Sequence, residues 1–224
     1  MATTKKTTAK SKQLDDARII ELYMNSVLIE NASPKNVYLF CKENAIEESD
    51  FYSFFGSIDN VKQVIWVKFF ENAITAINNE EGFATYTDKN KLLTLFYTLF
   101  EILTLNRSYV LFSLEENKSN IKNLKDLVLF RKEFRAFVSA IIDDNENASI
   151  TKLDKITKPL FSEGAWVQFL FILKFWMDDS SKGFEKTDII IEKSVNTAVD
   201  IFNTKPLESL IDLGKFLWKE NKMS

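Results

Sequence analysis

Aromatic rings and a few charged groups, not the usual catalytic side chains, carry the chemical potential of this sequence. Histidine is absent from all 224 residues, which removes the usual general base, serine and cysteine triads and histidine-containing metal sites. No glycine-rich phosphate loop, nucleophile elbow or paired-cysteine motif occurs. Neither an enzyme nor a resident metal or cofactor is expected. The 20 Phe and four Trp instead suggest an aromatic interior. Within it Phe96, Tyr97, Phe100, Phe130, Phe134 and Phe137, at helical spacing, could line an apolar pocket with Arg107, Arg131 or Glu101 as orienting groups. The same stripes also describe plain packing. The lining chemistry would suit a hydrophobic or lipid-like molecule. Asp143, Asn145 and Asn147, with Ile150 and Asp154 beyond, faintly follow a calcium-loop spacing. Ala148 stands where the sharp turn needs Gly, and Asp154 replaces the usual bidentate Glu, so a solvated loop is the expectation.

A formal net charge of −3 and a pI near 5.3 argue against a general nucleic-acid coat, because sequence-independent affinity comes from Lys and Arg neutralising phosphates. Any DNA contact must be local. The single Cys41 excludes an internal disulfide framework and suits a reducing compartment, with the cytoplasm as default. Residues 1–13 hold Lys5, Lys6, Lys10 and Lys12 with no acid, and read as a disordered basic arm rather than a signal peptide. The longest apolar stretch, Ala165 to Met177, is interrupted by Gln168 and Lys174 and falls short of the roughly 20 residues that span a bilayer. No membrane insertion is expected.

The elements that must position these groups are helices. Gly and Pro together number eight, too few turn-formers for a many-stranded β protein. Apolar periodicity predicts a first helix from Leu14 to Ile29. A second is capped at Ser33 with Pro34 at its first position. A third runs from Glu47 to Phe55 and ends at Gly56, and a long fourth is capped by Ser57 and reaches about Asn79. Helical patterns then run from Asp88, from Asn106 to Leu114, from Ile121 to Ile142, from Ile150 to Phe161 as a short or broken helix around Pro159, and from Ala165 to Met177. Two more follow, from Thr187 to Asn203 and from Pro206 to near Glu220. The reading is all-α, with nine or ten helices and no convincing strand.

Phe40, Cys41, Ile46, Phe51 and Phe55 would hold the second and third helices together as a helix-turn-helix, a spacing that any small helical hairpin shares. The ungapped stretch from Val37 to Val61 resembles the second, third and fourth helix starts of the tetracycline-repressor family. Phe51-Tyr52 and Phe55 fall where that family has its Leu-Tyr and second Phe, and Ser57 with Val61 matches the start of the connecting helix. The resemblance covers roughly residues 14–75. It implies phosphate contacts from Lys35, Asn36 and Tyr52, base-edge contacts from Glu48, Ser49 and Ser53, and a further phosphate contact from Lys62. It divides the chain into a DNA-binding unit, 14–60, and an effector-binding and dimerisation domain, 61–224, with the helix 57–79 connecting them. Dimerisation through the last helices would place Phe169, Ile172, Phe175 and Trp176 at a two-fold seam, unless they belong to a monomer core.

Two departures bear on function: Ala45 stands where the family commonly has a turn Gly, and Ile58 where it has a phosphate-binding Lys. Charge weighs more. From Ser33 to Asn60, Lys35 and Lys42 face Glu43, Glu47, Glu48, Asp50 and Asp59, a net negative element where a polyanion would approach. Acids can accept from cytosine amino groups, and the basic arm could supply backbone attraction. The resemblance implies a ligand-responsive transcriptional regulator that binds operator DNA as a homodimer and takes an apolar effector of unknown identity. The acidic third helix keeps open a protein of the same fold that binds a small molecule or lipid and has lost DNA recognition.

Overall fold

The computed structural model describes residues 14–116, 125–143 and 157–202. Among the described residues are nine α-helices and no strand: α1 Asp16–Glu30, α2 Val37–Glu43, α3 Glu48–Tyr52, α4 Ile58–Asn78, α5 Asp88–Leu105, α6 Arg107–Glu116, α7 Val128–Asp143, α8 Thr157–Asp178 and α9 Glu185–Phe202. One-turn 3-10 segments at Phe83–Thr85, Lys125–Leu127 and Lys182–Phe184 precede α5, α7 and α9. None of the helices is long and apolar enough to cross a membrane. The basic arm, the loop after Asp143 and the helix expected from Pro206 lie outside the described residues.

Helix starts are fixed by short polar side chains that satisfy first-turn N–H groups. Asp15 accepts from the Arg18 N–H, Asn36 from Leu39, Ser57 from Asn60 and Thr87 from Asn90. The second helix therefore begins at Val37, not at Pro34. Asn36 has the extended backbone and the acceptor that a cap requires, while Ser33 is engaged elsewhere, 3.2 Å from the Tyr23 hydroxyl. The third helix stops at Tyr52 instead of Phe55. Ser57 must be extended, at φ −168°, to cap α4, so the chain leaves the helix early and turns Phe55 into the core. Gly56 is not left-handed and does not cap α3. Pro159 does not break α8, because it lies in the first turn, where a missing N–H costs no intrahelical bond.

Helix α4 is the spine. It packs against α5 on one side and α7 on the other, while α8 rests on α7 and α9, α9 also on α5, and α1 on α6. Its buried stripe Val61, Ile65, Phe69, Ala73 and Ile77 follows the four-residue spacing of one helix face. Trp66 and Phe70 widen that stripe so that α4 is buried on two sides. Each such ring contributes roughly 1.5–3 kcal/mol of apolar burial.

The turn from α2 to α3 carries a positive φ at a residue with a side chain. The Ile46 N–H donates to the Cys41 carbonyl at 2.9 Å, the six-to-one bond of a Schellman ending, and Ala45 takes φ 54° to allow it. Left-handed backbone costs an alanine roughly 1–2 kcal/mol and glycine almost nothing, partly offset by glycine's larger entropy loss on folding. Ala45→Gly is therefore expected to raise stability by about 0.5–1 kcal/mol, measured as an upward shift of the thermal midpoint. An unchanged or lower midpoint would contradict this account of the turn.

Candidate functional site

The N-terminal three-helix unit is built around rings. Tyr23 of α1, Phe40 of α2 and Phe51 of α3 meet edge to face at 6.1 and 5.9 Å, and Phe55 lies 6.0 Å beyond Phe51. All four are buried, as is Cys41. Asn44 ties the turn back to α1 through its carboxamide N–H groups, which donate to the Phe40 carbonyl at 2.8 Å and to the Ser26 hydroxyl at 3.3 Å. This packing presents α3 outward. Lys35, Asn36, Ser49, Tyr52 and Ser53 are exposed and Glu48 and Lys62 half-buried, so the structure brings the seven candidate DNA contacts to the N-terminal unit and the start of α4. Two of them have local duties: the Asn36 side chain caps α2, and the Ser53 hydroxyl donates to the Ser49 carbonyl at 2.9 Å.

The electrostatics of that face are negative. Burial pushes the Cys41 thiol above its ordinary value, and the carboxylates of Glu48 and Glu47 push it further the same way. Exposed Tyr38, Tyr52 and Phe54 add aromatic area to the same unit, and the Lys42 ammonium lies 5.9 Å from the Tyr38 ring.

A second aromatic contact couples this unit to the remaining helices. Tyr23 meets Tyr109 of α6 at 6.3 Å, and Tyr109 meets Phe69 of α4 at 6.2 Å. Trp66 stacks on Phe130 of α7 at 6.0 Å with only 19° between the planes. The HTH unit is thus held by α4 through the chain and by α1, α6 and α4 through rings.

The residues expected to line an effector pocket do not assemble into one. Phe96, Phe100, Phe130 and Phe134 are each no more than 3% exposed. They pack ring on ring with one another and with Phe169 and Trp166, at 5.1 to 6.0 Å. Tyr97 and Glu101 lie on the outer side of α5, the Tyr97 hydroxyl donating to the Asp188 carbonyl at 3.4 Å. Arg131 is an exposed residue paired with Glu163. Phe137 is half-buried at the outer side of α4, 6.0 Å from Phe70. Plain packing, which the same helical spacing also describes, accounts for the phenylalanines.

Arg107 belongs to a joint. Its guanidinium donates to the carbonyls of Trp176 at 3.0 Å, Met177 at 3.1 Å and Asp179 at 3.4 Å, the orphan acceptors at the end of α8. Its guanidinium carbon also lies over the rings of Trp176, 4.3 Å away, and Phe184, 4.5 Å away. Gly183 and Phe184 both have positive φ, 64° and 61°, which bends the chain enough to fold the Phe184 ring over the guanidinium. Burial pulls the Arg107 pKa down, and Asp179 opposes that pull. Asp179 organises the other side of the turn. Its carboxylate accepts from the Ser181 N–H and hydroxyl and from the Thr187 N–H and hydroxyl, at 2.7 to 3.0 Å. Burial works to raise its pKa, but those four donors outweigh burial and hold it at about 2.

The expected dimer seam also needs correction. Phe169, Ile172 and Trp176 are fully buried inside the protomer, because α8 turns them onto α7 and α5, and Phe175 is half-buried. The apolar residues α8 leaves outside are Leu160, Val167 and Phe171, on a stripe at i, i+7 and i+11. Val167 and Phe171, with Ile190, Ser194, Thr197, Ala198 and Ile201 of α9, border a shallow groove of about 590 Å3 whose walls are almost wholly apolar. The sequence signal was present in the all-round apolarity of α8, but its polarity alone could not say which stripe faces inward.

Residues 91–217 match the family model described as tetracyclin repressor-like, C-terminal domain. No curated protein matches the chain. Asp179 lies inside the matched segment, and its role is directly measurable. The folded pKa is depressed below the ordinary 3.8, so its contribution to stability is fully present above that value and is lost as pH falls from there toward 2. Asp179→Asn is expected to lower stability at neutral pH by about 1–3 kcal/mol, since all four donors lose a charged acceptor and the two that meet the amide NH2 lose their acceptor altogether. The stability of the variant should also depend less steeply on pH below 4. Chemical denaturation of both proteins across acidic pH checks both outcomes.

Proposed function

The chain belongs to the tetracyclin repressor-like family, and from that membership we propose that it is a dimeric, ligand-responsive transcriptional regulator acting in the cytoplasm. One observation carries the reading: a helix-turn-helix with an aromatic core is joined by a short turn to a single 21-residue helix that is also the spine of the helices beyond it. In such an arrangement, any change in the tilt of α4 moves α3. In a two-fold dimer it changes the distance between two recognition helices, which must match the spacing of half-sites in the major groove. Residues 14–60 are assigned to DNA and 61–224 to effector and partner. Lys35, Lys62 and Tyr52 would meet phosphates, while Glu48, Ser49 and Ser53 would meet base edges.

The dimer face fits the exposed stripe of α8 and the adjoining surface of α9. Gly164 and Ala198 keep that surface low, so that a second copy of the same helices can approach closely. Phe171→Glu combined with Val167→Glu should yield a folded monomer by sedimentation equilibrium, because both residues are more than half exposed in the protomer. Phe169→Glu should instead unfold the chain.

The acidity of α3 favours a second reading, a binding protein of this fold that no longer recognises DNA. The two separate on a gel-retardation titration of the intact dimer against its own upstream DNA over a salt series. A regulator should bind at low salt and lose affinity as salt rises, and Lys35→Ala and Lys62→Ala should weaken it about equally on every sequence. No retardation at any salt by a confirmed dimer would leave only the second reading.

A further inference from the structure

Between α7 and the first two turns of α8 lies a cleft of about 420 Å3. Its α7 wall is one helix face: Val128, Arg131, Arg135 and Ser139 recur at three- and four-residue intervals, with Lys132 beside them. The α8 wall is Pro159 and the buried Ser162, whose hydroxyl donates to the Pro159 carbonyl at 3.1 Å. Three cations thus line the cleft, and among the described residues no acid does. Glu133 follows Lys132 in the chain but borders the space between α4 and α7 instead. One carboxylate reaches the cations from beside the cleft. Glu163 of α8 pairs with Arg131 through one oxygen, and its other oxygen lies 2.9 Å from the Arg135 Nε. Three cations against one shared acid leave an excess of two positive charges, on a chain whose net charge is negative. Each guanidinium carries five N–H donors, more than a shared carboxylate can take up. Arg131 and Arg135, one helical turn apart, also repel each other, a cost that a bound anion relieves.

We propose that the α7–α8 cleft binds the dianionic phosphoryl group of a small soluble phosphomonoester. The forked donors of Arg131 and Arg135 suit the oxygens of a tetrahedral oxyanion, and the Lys132 ammonium adds a point charge beside them. The positive end of the α8 dipole acts in the same direction. Charge selects the class: a dianion meets the excess of two, whereas a carboxylate or a phosphodiester leaves one positive charge uncompensated. Val128, Ala136 and Pro159 give the organic part of the ligand an apolar edge. The volume falls at the low end of the roughly 300–1,000 Å3 typical of small-molecule sites. This binding does not depend on whether the protein reads DNA.

The test is calorimetric titration of the intact protein with phenyl phosphate at low salt and a pH well above the second phosphate pKa of about 6. Methyl phenyl phosphate and benzoate, both monoanions there, are the comparators. Saturable binding of one phenyl phosphate per chain is expected, about tenfold tighter than either monoanion. Lys132→Glu and Ser139→Glu, which bring an acid to the cleft, should each weaken it by at least about tenfold. Glu163→Gln removes the competing carboxylate at nearly constant size and should tighten it about threefold or more. Lys132 is exposed, so that variant should keep its thermal midpoint and carries the test even where Ser139→Glu does not fold. Absence of phenyl phosphate binding, equal affinity for the monoanions, undiminished binding by Lys132→Glu, or weaker binding by a folded Glu163→Gln overturns the proposal. Cosedimentation with vesicles containing phosphatidate separates a lipid headgroup from a free ligand. Capture by vesicles without binding of phenyl phosphate overturns the soluble ligand, and binding of phenyl phosphate without capture supports it.

Discussion

A continuous line of ring contacts runs from the helix-turn-helix to the far end of the molecule, and the rest of the structure hangs on it. Phe55, Phe51, Phe40 and Tyr23 pass the contact to Tyr109, then to Phe69, Trp66 and Phe130, then through Phe169 and Phe100 to Trp176 and Phe184. Rings are large and stiff, with two side-chain torsions each, and edge-to-face pairs add about 0.5–1.5 kcal/mol to the burial of their area. A core of this kind is not continuously deformable. A shift at one end must be met by repacking along the line or by rigid movement of a whole helix, which is how small changes in a packed interior become large ones elsewhere.

The two ends of the line are terminated differently. At the α8–α9 turn Arg107 lies over the rings of Trp176 and Phe184 and takes the open carbonyls of α8, while Asp179 gathers four donors on the other side. That end is a fixed anchor, held by charge-assisted bonds on a bent backbone. At the other end Phe55 and Phe51 support a five-residue α3 whose start has no side-chain cap and whose outer face is solvent. The contrast places rigidity in the matched family domain and leaves the short α3 to take its orientation from its neighbours.

Charge in the N-terminal unit is distributed against expectation for a DNA reader. Glu47, Glu48 and Asp50 crowd α3, and burial, with Glu48 and Glu47 adding to it, raises the pKa of the Cys41 thiol. Arg131 and Arg135 of α7 are paired with Glu163 of α8. The exposed lysines of the N-terminal unit, Lys35 and Lys42, stand on or next to α2, away from the acids of α3.

Much of the architecture was legible in the order of residue types. Helical periods, the Ser57 cap and the Phe40, Phe51 and Phe55 spacing are local properties, set within one or two turns of chain, and they survive in the fold. Boundaries that depend on a competing partner did not: Ser33 looked like a cap but is engaged with Tyr23, ten residues away, and Asn36 took the role. The same limit explains the site. Phe96, Phe100 and Phe134 carry a stripe that suits either a pocket or a core, and only the arrival of Trp166 and Phe169 from α8 decided for a core. On α8 itself, apolar residues cover the whole circumference, so sequence determined that the helix is buried or paired, and tertiary packing decided which stripe. Phe169, Ile172 and Trp176 went inward because α5 and α7 meet that side, leaving Val167 and Phe171 outside. Sequence fixes what each element can bury; which neighbour buries it is a property of helices distant in the chain, brought together only by the fold.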